Sequence, residues 1–232
     1  MEHKKLPVFR YVRKAVYVCV VVVPLLGIVL VIALSSMYAG KSIYELLGEN
    51  KKLKQAITNL TDESQIGFAK VVKQDMRGGR LFTRLIFVET DRNDPTQRIL
   101  EREYEIEGDI IYFDALIVKF SEKYVMDGRG RALYLWRRVY GERMPPEEGF
   151  PIESFGKEPQ RYADICAALS IRDRTLFWKE IWNLSDDPER LSRLGIQAIY
   201  GNVVYKKVKP GLIYMFKISN TGTLYPETVP DI

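Results

Sequence analysis

The sequence is nearly without histidine: His3 is the only one in 232 residues. Beyond that tail position no imidazole can serve a serine or cysteine nucleophile, bind a metal or act as a general base. Cysteine is almost as scarce, with Cys19 and Cys166 alone. Cys19 lies in an apolar run and Cys166 in a helical pattern, so no disulfide is expected past that run, and Cys166 reads as a small buried hydrophobe. Neither G-x-x-x-x-G-K-[ST] nor G-x-G-x-x-G occurs, and Asp91-x-Asn93 lacks the remaining ligands and glycine of a calcium loop. No cofactor and no metal set is expected, and the reading leans away from an enzyme. One chemistry survives, because a glycosidase needs only two carboxylates roughly 5 to 9 Å apart and the chain has many acids.

An excess of one charge is also missing from most of the chain. The net charge of +5 is concentrated at the start, where Lys4, Lys5, Arg10, Arg13 and Lys14 face a single acid, Glu2. Residues 15–232 are left with 30 basic and 29 acidic side chains, which excludes a basic nucleic-acid surface as the default reading.

What is present is a long run without charge, Ala15 to Met37, AVYVCVVVVPLLGIVLVIALSSM. At ~1.5 Å per residue it reaches about 30 Å, the thickness of a hydrocarbon core. A transmembrane helix is therefore expected over 15–39, uncleaved, since the hydrophobic part of a signal peptide is shorter. The basic flank places the tail, 1–14, in the cytoplasm and the rest outside, so the expected location is a single-pass inner or plasma membrane with the C-terminal domain extracytoplasmic. Tyr11, Tyr17 and Tyr38 fall near the interfaces, and no charge between 15 and 40 offers an ion relay.

A second helix, the stalk 42–61, is expected after a break at Gly40, with Ser42 and Glu45 as a capping box. Ile43, Leu46, Asn50, Leu53, Ile57 and Leu60 recur at spacings of 3 and 4, a short coiled-coil seam with Asn50 at an a position. The alternative is an amphipathic helix packed on its own domain. Two chains confined to one membrane meet at high effective concentration, which favours a homo-oligomer through the stalk.

From Gln65 the period becomes strand-like, so 65–232 is expected to be one extracytoplasmic α+β domain with its own core, and a fragment beginning at Asp62 to be mostly monomeric. Ile66–Gln74 and Leu81–Thr90 flank Gly78-Gly79 as a hairpin, and strands over Arg98–Glu107, Ile110–Tyr124 and Arg131–Tyr140 extend it into a five-stranded antiparallel meander. Ile110–Phe120 is apolar on both faces and should be central. Three helices follow, Pro159–Leu169, Ile171–Leu184 and Pro188–Leu194, then strands over 196–200, 202–209 and 212–219 with a turn at Pro210-Gly211.

Three features are candidates for function. Asp114, inside the apolar strand, reads as a structural acid paired with Arg84, Arg102 or Arg137. Glu101, Glu103, Glu105 and Glu107 make an acidic stripe, read as a solvent face that discourages edge pairing. Tyr134, Trp136, Arg138 and Tyr140 alternate along one strand and offer a possible glycan or partner surface, against core packing as the plainer reading.

The order of tail, span, short coil and β-rich domain is similar to that of bacterial envelope scaffold proteins such as the rod-shape family MreC. It is a likeness of layout, which carries no site residue over. The reading is of a membrane-anchored extracytoplasmic scaffold or assembly component of a cell-envelope complex. Its expected partners are the membrane, other copies of itself and other envelope proteins, with no nucleic acid. The alternative is a membrane-tethered glycan-binding or carboxylate-dependent glycan-active module.

Overall fold

The computed structural model describes residues 14, 16–17, 20, 23–163, 174–183 and 187–231. The chain divides into two compact units, Met1–Lys54 and Gln55–Ile232. The first described helix, α1, spans Val23–Thr61. It runs unbroken through Gly40 and Ser42, where the sequence predicted one helix to end and another to begin. A lone glycine costs a helix only ~1 kcal/mol relative to alanine, which the flanking turns absorb. Among the described residues no helix is long and apolar enough to cross a membrane. Positions 15, 18, 19, 21 and 22 of the apolar run lie outside the described residues, as does Cys19 within it.

The second unit is α+β with antiparallel sheets. β1 (Glu63–Arg77) and β2 (Arg80–Thr90) form the predicted hairpin. Gly78 and Gly79 both take positive φ, 57° and 79°, as a two-residue turn with the twist of the flanking strands requires. β3 (Arg98–Glu107) pairs with β2, and there the meander stops. β4 (Ile110–Phe120) crosses into a second sheet and pairs with β5 (Leu133–Gly141). β6 (Phe150–Pro151) and β7 (Ile196–Lys207) complete that sheet in the order β6-β5-β4-β7. β8 (Leu212–Ser219) and β9 (Leu224–Pro230) return to the first, giving β3-β2-β1-β8-β9.

The single meander predicted from the sequence is thus two layers, for a reason that lies in β3 and β4. β3 exposes Glu101, Glu103 and Glu105 and can close a sheet against water. β4 is apolar on both faces and needs cover on both. It finds one cover in the first sheet, through Ile111, Phe113, Ala115 and Ile117, and the other in a helical layer, through Leu116, Val118 and Phe120. The aromatic centre between the sheets joins Phe87 to Phe113, Trp136 and Phe216 with ring centroids 5.1 to 6.1 Å apart. Gly141 allows the layers to approach, since a Cβ there would stand 2.5 Å from the Glu107 carbonyl oxygen.

The helical layer is smaller than predicted within the described residues. β4 ends at Phe120, and 122–124, read as the end of that strand, belong to a one-turn helix, α2 (Glu122–Met126). The described part of Pro159–Leu169 holds a single 3-10 turn, Gln160–Tyr162, and 164–173, with Cys166, lie outside the described residues. α3 (Arg174–Trp182) buries Phe177, Trp178, Ile181 and Trp182 on the outer face of the second sheet, and α4 (Pro188–Arg193) leads into β7. β9 was not predicted at all. Pro226 and Pro230 disguise it, yet it is an edge strand, where a missing N–H is tolerated.

Candidate functional site

The aromatic strand offered as a glycan or partner surface is divided by a backbone irregularity. Asp114 is opposite Arg138 while Ala115 is opposite Trp136, so Arg137 is an extra residue on β5 and the alternation changes face there. Tyr134 and Trp136 consequently point into the core, 1% and 0% exposed, and cannot form an exposed strip. Arg138 and Tyr140 lie on the opposite face. There Tyr140 stacks on Tyr112 at 5.0 Å, and Tyr112 meets the exposed Tyr205 at 5.5 Å. The sequence correctly gave aromatics to this strand but could not place the bulge, which is set by pairing with β4.

The same bulge assembles the Asp114 cluster. Arg137 donates from Nε and Nη2 to Asp114 Oδ1 at 3.0 and 2.7 Å, and Arg138 Nε lies 3.3 Å from Oδ2. Of the arginines predicted as partners only Arg137 serves. Arg84 pairs with Glu103 across the outer face of the first sheet, and Arg102 donates from Nε to the Ile152 carbonyl. Asp114 is 3% exposed and fully engaged, as a structural acid should be. A cleft of about 430 Å³ opens beside it, lined by Arg102, Arg137, Arg138, Glu153, Phe155 and Trp182 among others. Its cations are mostly committed: Arg137 and Arg138 share Asp114, and Arg138 also donates to the Pro146 carbonyl at 2.7 Å.

The acidic stripe is neutralised in place. Arg77 pairs with Glu105 at 2.7 Å, Arg98 with Glu101 at 2.7 Å and Arg143 with Glu107 at 3.1 Å, so β3 presents alternating charge rather than a cation site. Among the described residues no group of three His, Cys, Asp or Glu is placed to hold a metal ion.

A buried ion cluster was missed. Arg161 Nη1 lies 2.8 Å from Glu89 Oε1, and its Nη2 donates to Glu153 Oε1 at 2.7 Å and to the Tyr134 carbonyl at 2.6 Å. The guanidinium sits 4.4 and 4.7 Å from the rings of Tyr134 and Tyr162. Two carboxylates share one cation here. Burial raises the Glu89 carboxyl to about 7 against the pull of Arg161, and raises Glu153 as well. The Arg161 guanidinium, which burial alone would weaken as a base, is held well above its ordinary value by Glu153 and Glu89. A titratable pair beside a cleft of about 220 Å³ is the nearest thing in the fold to acid–base machinery. Glu89, however, is 1% exposed, so a substrate would have to enter the core to meet it. The cluster instead fastens the 141–162 segment to β2 and β5. The sequence did carry one signal, an acid in the apolar run Phe87-Val88-Glu89, but Glu153 and Arg161 lie in a stretch without periodicity.

Of the predicted seam, Leu46, Leu53 and Ile57 are 61%, 59% and 50% exposed and Asn50 is exposed too. Leu60 departs from the set and packs on the helical-layer core of the second unit. The side chain of Ile43 lies outside the described residues. The last turn of α1 is fixed to that unit by polar contacts, Asn59 Nδ2 donating to the Met126 carbonyl and Asn220 Nδ2 to the Asn59 carbonyl, each at 2.9 Å. An Asn59 amide so engaged is a poor glycosylation acceptor, although Asn59-Leu60-Thr61 matches the sequon. No protein-family model matches the chain, and no curated protein or solved structure does either.

Proposed function

We propose that this chain is a single-pass membrane-anchored scaffold or assembly component of a cell-envelope complex, its β-rich unit outside the cytoplasm, acting through protein contacts and self-association. The observation that carries the reading is the first half of α1. Leu25, Leu26, Ile28, Val29, Leu30, Val31 and Ile32 are all 55 to 65% exposed, on every side of the helix. A helix apolar all round requires apolar surroundings. The described stretch from Val23 to Met37 spans only about 22 Å at ~1.5 Å per residue, and the uncharged positions from Ala15 bring it to the length of a bilayer core.

Self-association is supported by the exposed Leu46, Leu53 and Ile57, which lie on one seam. The glycan-module alternative loses its ground with Trp136 and Tyr134 in the core. One set of membranes tests the proposal. In spheroplasts, protease should remove a tag at Ile232, and a tag protected until the inner membrane is broken would defeat the reading. In the same membranes Leu53→Arg should abolish crosslinked dimer, because a charge in the seam is desolvated without a partner. Asn50→Leu should strengthen association and broaden the choice of oligomer. Crosslinking unchanged by either would remove the stalk from the proposal.

A further inference from the structure

A sandwich of two open sheets has four edge strands, and three of these are blunted. β3 carries Arg98, Glu101, Arg102, Glu103 and Glu105, all exposed and charged. β9 carries Pro226 and Pro230, and β6 is two residues long and ends in Pro151. Charge, proline and shortness are the devices by which natural sheets avoid adding a foreign strand. β7 has none of them over most of its length, and its one irregularity, the extra residue Gln197, lies near its start. From Ile196 to Tyr205 there is no charged residue and no proline, and six of the ten residues are β-branched or aromatic: Ile196, Ile199, Tyr200, Val203, Val204 and Tyr205.

This strand pairs with β4 along its length, and among the described residues no strand is hydrogen-bonded to its other edge, although β9 approaches part of it. Between 196 and 206 its backbone makes no other hydrogen bond among the described residues. Val203 and Tyr205, on the face turned away from the first sheet, are 44% and 63% exposed. Tyr205 continues inward to Tyr112 and Tyr140, so an uncharged edge is joined to an aromatic band.

We propose that β7 is a strand-pairing edge at which two copies of this chain join antiparallel, each continuing the β6-β5-β4-β7 sheet of the other. The charge pattern selects this occupant. The only charges of β7, Lys206 and Lys207, stand at its C-terminal end. Parallel addition of a second copy would set lysine beside lysine. Antiparallel addition sends each pair to the opposite end, against the uncharged Gly195 and Ile196 of the second copy. With Gly201 on the two-fold axis, Ile199 of each copy faces Val203 of the other and Tyr200 faces Asn202, every pair being free of like charge. A strand complementary to itself in this way supports an isologous contact. The proposal adds to the stalk reading a second contact that does not depend on it, and it departs from the expectation that the exported unit is mostly monomeric.

The test uses full-length protein in membranes, with Cys19 and Cys166 replaced by serine and single cysteines introduced at each position from 199 to 205, with and without Leu53→Arg in the stalk. A cysteine at the exposed Val72 of β1 is the control. Mild oxidation should give a disulfide homodimer that peaks at Gly201 or Asn202, falls on either side, and persists above the Val72 control when the stalk carries Leu53→Arg. Adding Val203→Lys should reduce that dimer by about tenfold by giving the strand an edge charge. Because Val203 is exposed, thermal unfolding should stay unchanged. Crosslinking at 199–205 no greater than at Val72, in either background, would overturn the proposal. So would an adduct with a different polypeptide in place of the homodimer. A parallel Ile57→Cys crosslink reports the stalk by itself, so failure at the edge and failure of the stalk are read separately.

Discussion

Arg161→Met should lower the stability of the full-length protein in detergent micelles by about 3–5 kcal/mol at pH 7.5, the cost of leaving buried charge without its partner. Both Glu89 and Glu153 depend on that guanidinium, with side chains 1% and 10% exposed. Lowering the pH should return part of the loss, because protonation removes the stranded charge. The wild type has its own dependence in the same range. The folded Glu89 carboxyl titrates at about 7, above its ordinary 4.5, so the folded state holds a proton that the unfolded state releases. The resulting stability is complete below pH ~4.5 and is lost as pH rises through about 7. Melting by tryptophan fluorescence should therefore show a lower midpoint at pH 8 than at pH 5. Glu89→Gln, which cannot titrate, should flatten that slope and be at least as stable at pH 8. Identical slopes in the two proteins would show that Glu89 is ionised throughout and that the buried pair is already neutralised.

Trp136→Ala should be as severe, costing about 3–5 kcal/mol through the cavity it leaves. The ring is fully buried, 5.1 Å from both Phe87 and Phe216, at the point where the two sheets meet. Its Nε1 has no hydrogen-bond partner among the described residues, so Trp136→Phe loses volume but also removes an unsatisfied donor. That variant should stay within about 1.5 kcal/mol of the wild type. The pair separates core from surface: a residue that bound a glycan or a partner would lose binding in both variants with little change in the midpoint of denaturant unfolding. A stable Trp136→Ala protein would contradict the placement of this ring at the centre of the sandwich.

Local chemistry in the sequence was enough for several elements. Gly78-Gly79 dictated a hairpin because few other residues accept positive φ twice in succession, and the observed turn uses both. Gly211, with φ of 80°, likewise closes the β7–β8 turn after Pro210. The double-sided apolar pattern of Ile110–Phe120 required a central strand, and β4 lies between β5 and β7 with a layer on each side. Where a rule depends on position in the sheet, the sequence misled: two prolines spoke against β9 because they forbid a central strand, and only its place at an edge makes them harmless.

By itself, then, the sequence determined the features whose cause is local or periodic: the uncharged run, the basic tail, the hairpin turn, the alternation of strands and the α+β composition of the second unit. The tertiary structure alone decided which strands share a sheet, where the extra residue at Arg137 turns Trp136 inward and Arg138 outward, how Arg161 comes to hold the distant Glu89 together with the nearby Glu153, and which edge is left open. These are pairings between distant segments. Their energies depend on register and burial, and a one-residue change of register exchanges the two faces of a strand while leaving its composition untouched.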